Sequence, residues 1–308
     1  CHITNERLFM SFKPARFLDP KSDIVFKKIF GNNPAIVKSF LNGVLPLPDG
    51  ALIENIEYLT PEQSPRIPTL KNSIVDVKCQ DQKGRIFIVE MQMQWSDSFT
   101  KRLMFGASKA YIQQLAKGAF YESLCPVYGL GIINAIFDEK SDDWFHHYKI
   151  INTQDQNKVL DGMELIFLEL PKFKPQTWPE RKAGVLWLRF LREIDEKTVD
   201  FSADFYDVSE IIQAMEIAQE SSFTPGELES YDQYWDAVSV EKSIQFDAEK
   251  KGMEQGLEQG LEQGRAAEKI TIANALFETG MDIPAISNIT GLSVSFLDET
   301  FKTHNHSD

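Results

Sequence analysis

Residues 73–94 read SIVDVKCQDQKGRIFIVEMQMQ. Two β-branched or apolar runs, 73–80 and 85–94, flank Asp81, Gln82, Lys83 and Gly84, which is the pattern of a β-hairpin. Side chains alternate across a strand, so Ile86, Ile88, Glu90, Gln92 and Gln94 share one face of the second run, and Phe87, Val89, Met91 and Met93 the other. On the first run Val75, Val77 and Cys79 form the apolar set, and Asp76 lies with Ile74 and Lys78. A three-residue loop, Gln82-Lys83-Gly84 with Gly84 left-handed, pairs 81 with 85 and therefore 76 with 90. A two- or four-residue loop would shift the pairing by one and separate those residues.

In the first register Asp76 faces Glu90. Directly opposed side chains on paired strands have Cβ atoms about 5 Å apart, and two carboxylates so close repel unless a cation lies between them. Carboxylate oxygens suit a hard cation such as magnesium, which leaves coordination positions for water and phosphate. Such an ion can polarise a phosphodiester and acidify water, and Gln92 is placed to orient that water. A solvent-facing hairpin with incidental acids has the same spacing, and the motif alone does not separate the two readings.

Before the hairpin, residues 21–30 carry Ile24, Val25 and Ile29 on a helical stripe, with Ser22 as a candidate cap and Gly31 as a stop. A second helix spans 34–43. Residues 51–60 read as a strand or strand edge, and the prolines of 61–68 as a loop. A helix follows the hairpin over 99–114, and strands are expected at 126–137, 145–151 and 163–170. Helices dominate from Pro179 to Val238. This order predicts a mixed sheet with helices on its faces.

The formal charge of −14 disfavours a polyanionic partner until its distribution is read. Residues 1–150 hold 18 Lys or Arg against 16 Asp or Glu, whereas 201–300 hold 5 against 20. Any nucleic-acid contact therefore belongs to the first half, near Lys27, Lys28, Lys101, Arg102 and Lys109. Three cysteines without a CxxC pair give neither a disulfide framework nor a cysteine zinc site, which fits a reducing cytoplasm. The longest apolar run, around Gly129 to Phe137, is far below the roughly 20 residues needed to span a bilayer. Residue 1 is Cys and the first Met is Met10, so residues 1–9 are read as an upstream extension, with no secretion signal. No GxxxxGK[ST] loop is present, and none of the five histidines lies near the hairpin motif.

In the tail, KGMEQGLEQGLEQG sets Gly252, Gly256, Gly260 and Gly264 four residues apart, in step with Met253, Leu257 and Leu261. Each interior Gly costs a helix up to about 1 kcal/mol against Ala. A solvated, partly helical linker and a self-associating helix both fit. Residues 266–302 read as three short helices, broken near Gly280 and Gly291 and started near Asp282 and Ser293. The last of them has no Lys or Arg before Lys302, which favours an oligomerisation or docking bundle over a DNA reader.

An Asp on one strand followed by Glu-x-Gln on the next resembles the core of the PD-(D/E)XK nuclease superfamily. DPKSDIVFKKIFG at 19–31, IVDVKCQDQKGRIFIVEMQ at 74–92, Arg102 and Tyr111 in the next helix, and LELPKF at 168–173 together resemble its recombination-promoting nuclease and transposase family. The similarity covers about residues 19–250. It implies a restriction-endonuclease-like α/β fold, with a mixed sheet flanked by helices and a helical carboxyl-terminal extension. The division it suggests is an extension at 1–18, a nuclease domain at 19–245, a Gly/Glu/Gln-rich helical linker at 246–265 and a small helical module at 266–308.

The implied activity is DNA endonuclease cleavage linked to recombination or mobile DNA, using Mg2+ with Mn2+ as a substitute. Asp76 and Glu90 match the metal-binding acids and Gln92 the position usually held by Lys, a departure that removes a positive charge. Asp23 resembles an extra acid supplied by an amino-terminal helix, and a helix cap is the other reading of it. Arg102, with Lys101 and Lys28, is assigned to phosphate contact or site support, and Tyr111, 2.5 turns further on, to packing against the sheet. Trp95 and Gln94 are structural by default. A homo-oligomer through the tail, cytoplasmic and away from membranes, completes this expectation. The rival is a catalytically weak or inactive nuclease-fold module acting in assembly, and a strand-transferring transposase is a third reading.

Overall fold

A computed structural model describes residues 16–48, 50–63, 73–115, 118, 120–177 and 181–304. The start at Met10, Cys1 and most of the loop 61–68 lie outside the described residues. The chain divides into two compact units between Ala237 and Val238.

The first unit opens with α1, Asp23–Phe30, and α2, Pro34–Val44. Asp23 sits favourably in the first turn of α1, and Pro34 takes the first position of α2, where its missing N–H is not needed. Ser22 precedes α1, but its hydroxyl donates to the carbonyl of Asp19 instead of capping the helix. Phe17 and Leu18 are buried in the main core, so the packed unit begins before residue 19.

The strands are β1 (Ile56–Tyr58), β2 (Glu62–Gln63), β3 (Ser73–Ile74), β4 (Val77–Asp81), β5 (Ile86–Gln92), β6 (Val127–Ile133), β7 (Phe145–Ile151) and β8 (Val159–Glu169). β2 and β3 pair with each other, and the other six form one mixed sheet in the order β1-β4-β5-β6-β8-β7. β5, β6 and β8 run parallel in its centre and the remaining pairings are antiparallel. The mixed α/β class expected from the sequence is borne out. β1 is shorter than the expected strand over 51–60, and β8 starts before the expected residue 163.

Helix α3, Asp97–Gln113, crosses from β5 to β6 and covers one face of the sheet. Central parallel strands are buried on both sides and so read as continuous apolar runs, as VYGLGII of β6 does. On the α3 side β6 presents Gly129 and Gly131. A Cβ on Gly131 would lie 2.9 Å from the Phe99 ring and 3.0 Å from Phe167, so only glycine lets α3 pack this closely. The other face carries the larger core, built with α1, α2, α4 (Lys182–Glu193) and α5 (Ser209–Ala218).

Helix α6, Pro225–Glu278, starts in the first unit with a reciprocal cap. The Thr224 N–H donates to Glu227 Oε2 (2.7 Å), and the Glu227 N–H donates to Thr224 Oγ1 (3.3 Å), a capping box ahead of a proline at the first helical position. The glycine-repeat segment is helical within α6, and the first of the three short helices expected after it is the end of α6.

The second unit holds the rest of α6 with α7, Ile283–Thr290, and α8, Val294–His304. Ala273, Ile286, Leu297 and Phe301 form its core, and Phe277 stacks on Phe301 at 4.0 Å. Asp282 caps α7 by accepting the Ala285 N–H, and Gly291 ends it with φ +71°. Met253, Leu257 and Leu261 are exposed. No described helix is long and apolar enough to cross a membrane.

Candidate active site

The β4–β5 hairpin adopts the three-residue loop. Gly84 has φ +76°, the Asp81 N–H donates to the Arg85 carbonyl (3.1 Å), and Val77 pairs with Val89. The loop end is locked by a buried pair in which Arg85 bonds Asp81 (Nε to Oδ2, 2.7 Å) and also donates to the Ala51 carbonyl. Continuing that register toward the open end brings Asp76 opposite Glu90.

The ladder does not continue regularly to Asp76. The chain bends there, and Asp76 Oδ2 accepts the Met91 N–H at 2.8 Å, a donor that a regular ladder would give to the Val75 carbonyl. Val75 consequently packs on the α3 side, whereas Val77 and Cys79 pack on the other. The single apolar face expected for Val75, Val77 and Cys79 is thus split by the bend.

Glu90 lies on the α3 face of β5 with Ile86 and Ile88 and is only 3% exposed. Arg102, one turn into α3, donates from Nε to Glu90 Oε2 (3.0 Å) and from Nη2 to Gln92 Oε1 (2.7 Å), with its guanidinium over the Phe99 ring. Glu90 Oε1 is buried and has no hydrogen-bond partner. On the other flank Lys27 of α1 bonds Asp23 (2.6 Å) and lies 3.5 Å from Asp76 Oδ1.

The electrostatics follow from burial. Desolvation raises the Glu90 pKa above the ordinary carboxyl value, Arg102 opposes the rise, and the Asp76 charge adds to it. Asp76 is likewise raised, first by burial, against the Met91 N–H and Lys27, with Asp23 adding to the rise. Each acid is thus held in a place where its charge is poorly accommodated, a common property of functional carboxyl groups.

The structure brings Asp76, Glu90, Gln92 and Arg102 together. Asp23 joins only through the Lys27 ammonium, and among the described residues no group of three or more His, Cys, Asp or Glu side chains could hold a metal ion. Lys28 points elsewhere: it bonds Glu227 (2.8 Å) and lies over the Phe223 ring. Lys101 is exposed on α3. Tyr111 packs in the α3-side core against Gly162, and Trp95 stacks on Phe137 at 4.4 Å, as structural residues do. Lys27, expected from the sequence as one of five basic residues near a nucleic-acid contact, stands beside the acids, as the Asp23-x-x-x-Lys27 spacing of a helical ion pair allows.

Two carboxylates, one with a buried oxygen lacking any donor, are a suitable donor set for a hard divalent cation. A family model described as PD-(D/E)XK nuclease family transposase matches residues 20–244. No curated protein and no solved structure gives a match. The matched span contains α1, the hairpin, α3 and the whole six-stranded sheet, with every residue of the acid cluster. The PD-(D/E)XK superfamily is one of phosphodiesterases that typically use a divalent metal, and the family implies a DNA substrate. Because the match takes in most of the chain, this protein belongs to the PD-(D/E)XK nuclease family transposases.

Proposed function

We propose that the protein is a divalent-metal-dependent DNA endonuclease that hydrolyses phosphodiester bonds in recombination or mobile-DNA processing. The observation that carries this reading is the buried, unpartnered Glu90 Oε1 beside a second carboxyl of raised pKa. Asp76 and Glu90 would hold magnesium, or manganese in its place. When bound, such an ion supplies Lewis acidity at the phosphate and lowers the pKa of water.

The chain's own groups do the rest. Met91 N–H fixes one oxygen of Asp76, and Arg102 fixes one oxygen of Glu90 and the amide oxygen of Gln92. With its oxygen so held, the Gln92 amide presents a defined dipole for orienting water. The half-exposed Arg102 guanidinium offers its remaining donors to phosphate, and Lys101 extends positive charge along α3. The helical unit after Val238 serves self-assembly in this reading.

Purified protein is expected to nick supercoiled plasmid with Mg2+ or Mn2+ and to lose this on chelation. Asp76→Ala and Glu90→Ala should each abolish nicking with the fold intact; a variant that cuts like the parent refutes the assignment. A second reading, an inactive nuclease-fold module acting in assembly, is favoured by one observation: Lys27 and Arg102 already compensate the two acids without any ion. Absence of both metal binding and nicking would select it, and joined DNA products would select strand transfer.

A further inference from the structure

Attack of water on a phosphodiester adds negative charge to the phosphoryl oxygens, and positive groups aimed at that place stabilise the transition state. The described acid cluster has two cations beside it. Arg102 gives its Nε and an Nη2 donor to Glu90 and Gln92, bonds that orient protein groups, and has only its remaining donors for phosphate. Lys28, although next in sequence to Lys27, is tied to Glu227.

Lys27 is also ion-paired, to Asp23 at 2.6 Å and to Asp76 at 3.5 Å, but the second of these partners is one of the two clustered acids. It rides on α1, whose Val25, Phe26, Ile29 and Phe30 are all at most 1% exposed, so the helix cannot shift without breaking the main core. Its own side chain is 41% exposed, and its ammonium stands 3.5 Å from Asp76 Oδ1.

We propose that Lys27 is a catalytic residue of the nuclease reaction, contacting the scissile phosphate and stabilising the charge that develops there. Asp23 holds the ammonium from one side while leaving the exposed side to the substrate. In the step, the water oxygen forms a new P–O bond and the ester P–O bond breaks. A water proton passes to solvent and the leaving oxygen takes one from solvent. Lys27 keeps its protons throughout. This assignment rests on the nuclease reading above.

The test uses the full chain, with single-turnover nicking in Mg2+ and duplex oligonucleotide binding in metal-free buffer across a salt series. Lys27→Met should nick about 100-fold more slowly, the scale of losing one transition-state donor. Its plot of log affinity against log salt should flatten by about one unit, the signature of one lost phosphate contact. Lys27→Arg, which keeps the charge, should restore the slope and most of the rate. Lys27→Met nicking within threefold of the parent, or an unchanged salt slope, or a loss that Lys27→Arg shares in full, overturns the assignment while leaving the nuclease reading standing. A parent protein that does not nick overturns both.

Discussion

Glu90 and Glu169 occupy corresponding places, near the ends of parallel strands on either side of β6, and both are buried. Their surroundings differ. Glu169 is saturated: Oε2 accepts the Phe137 N–H (2.9 Å), and Oε1 meets His146 Nε2 (2.7 Å) and Lys172 Nζ (2.9 Å). Lys172 also donates to the carbonyls of Asp138 and Asp143, so the group ties the β6–β7 connection to the end of β8. Glu90 has Arg102 on one oxygen and nothing on the other. A buried acid that holds a fold together is given all its partners, whereas one kept for chemistry leaves an oxygen open.

Neutralising each acid in turn separates the two roles. Glu90→Gln should remove nicking below detection without unfolding the protein. The folded state binds the Glu90 proton more tightly than the unfolded chain, so the parent loses stability as pH rises above 4.5 through the raised folded value. The melting temperature of Glu90→Gln relative to the parent should therefore increase with pH, and a fall would contradict the sign. Glu169→Ala should do the reverse. It leaves the Lys172 ammonium, on a side chain 10% exposed, without its anion and should destabilise by about 3 kcal/mol in chemical denaturation, the lower end of the scale for breaking a buried pair.

A smaller effect probes how Arg102 reaches Glu90. Gly131→Ala pushes a methyl against Phe99, one turn before Arg102, and should destabilise by about 1–3 kcal/mol. Nicking by the folded fraction should fall with it as α3 is displaced; unchanged nicking would show that the Arg102 bonds do not depend on close packing.

The smallest effect sits at the Lys28–Glu227 pair. Lys28 first, then the Thr224 N–H, hold the Glu227 pKa down to about 2. A depressed carboxyl stabilises the fold above the unfolded value of 4.5, and this is lost as pH falls toward 2. Glu227→Gln should cost about 1 kcal/mol at neutral pH, a typical capping contribution, and the difference should close between pH 4.5 and 2. Nicking should not change, which would also confirm that Lys28 stands apart from the acid cluster.

The hairpin was legible because its signals are local: alternation, a loop containing glycine, and a register fixed by loop length. Strand β7 and helices α7 and α8 were legible for the same reason, through patterned runs and terminal Asp282 and Gly291. What escaped was set by partners distant in sequence. The bend at Asp76 exists because a carboxylate takes the Met91 N–H, and no pattern within SIVDV announces it. Glu169 lies in LELPKF, yet its partners come from the 137–146 connection. The glycine repeat, expected as a partly helical linker or a self-associating helix, is helical because Glu, Gln and Leu between the glycines are strong helix formers, continuing from a well-capped start.

The Gln82-Lys83-Gly84 turn touches none of the acids, yet it governs their meeting. One residue inserted or deleted there would shift the β4–β5 register that carries Asp76 to Glu90. Surface turns ordinarily tolerate changes of length, but this one meters the active centre from its far end, and its size is as constrained as the chemistry it never contacts.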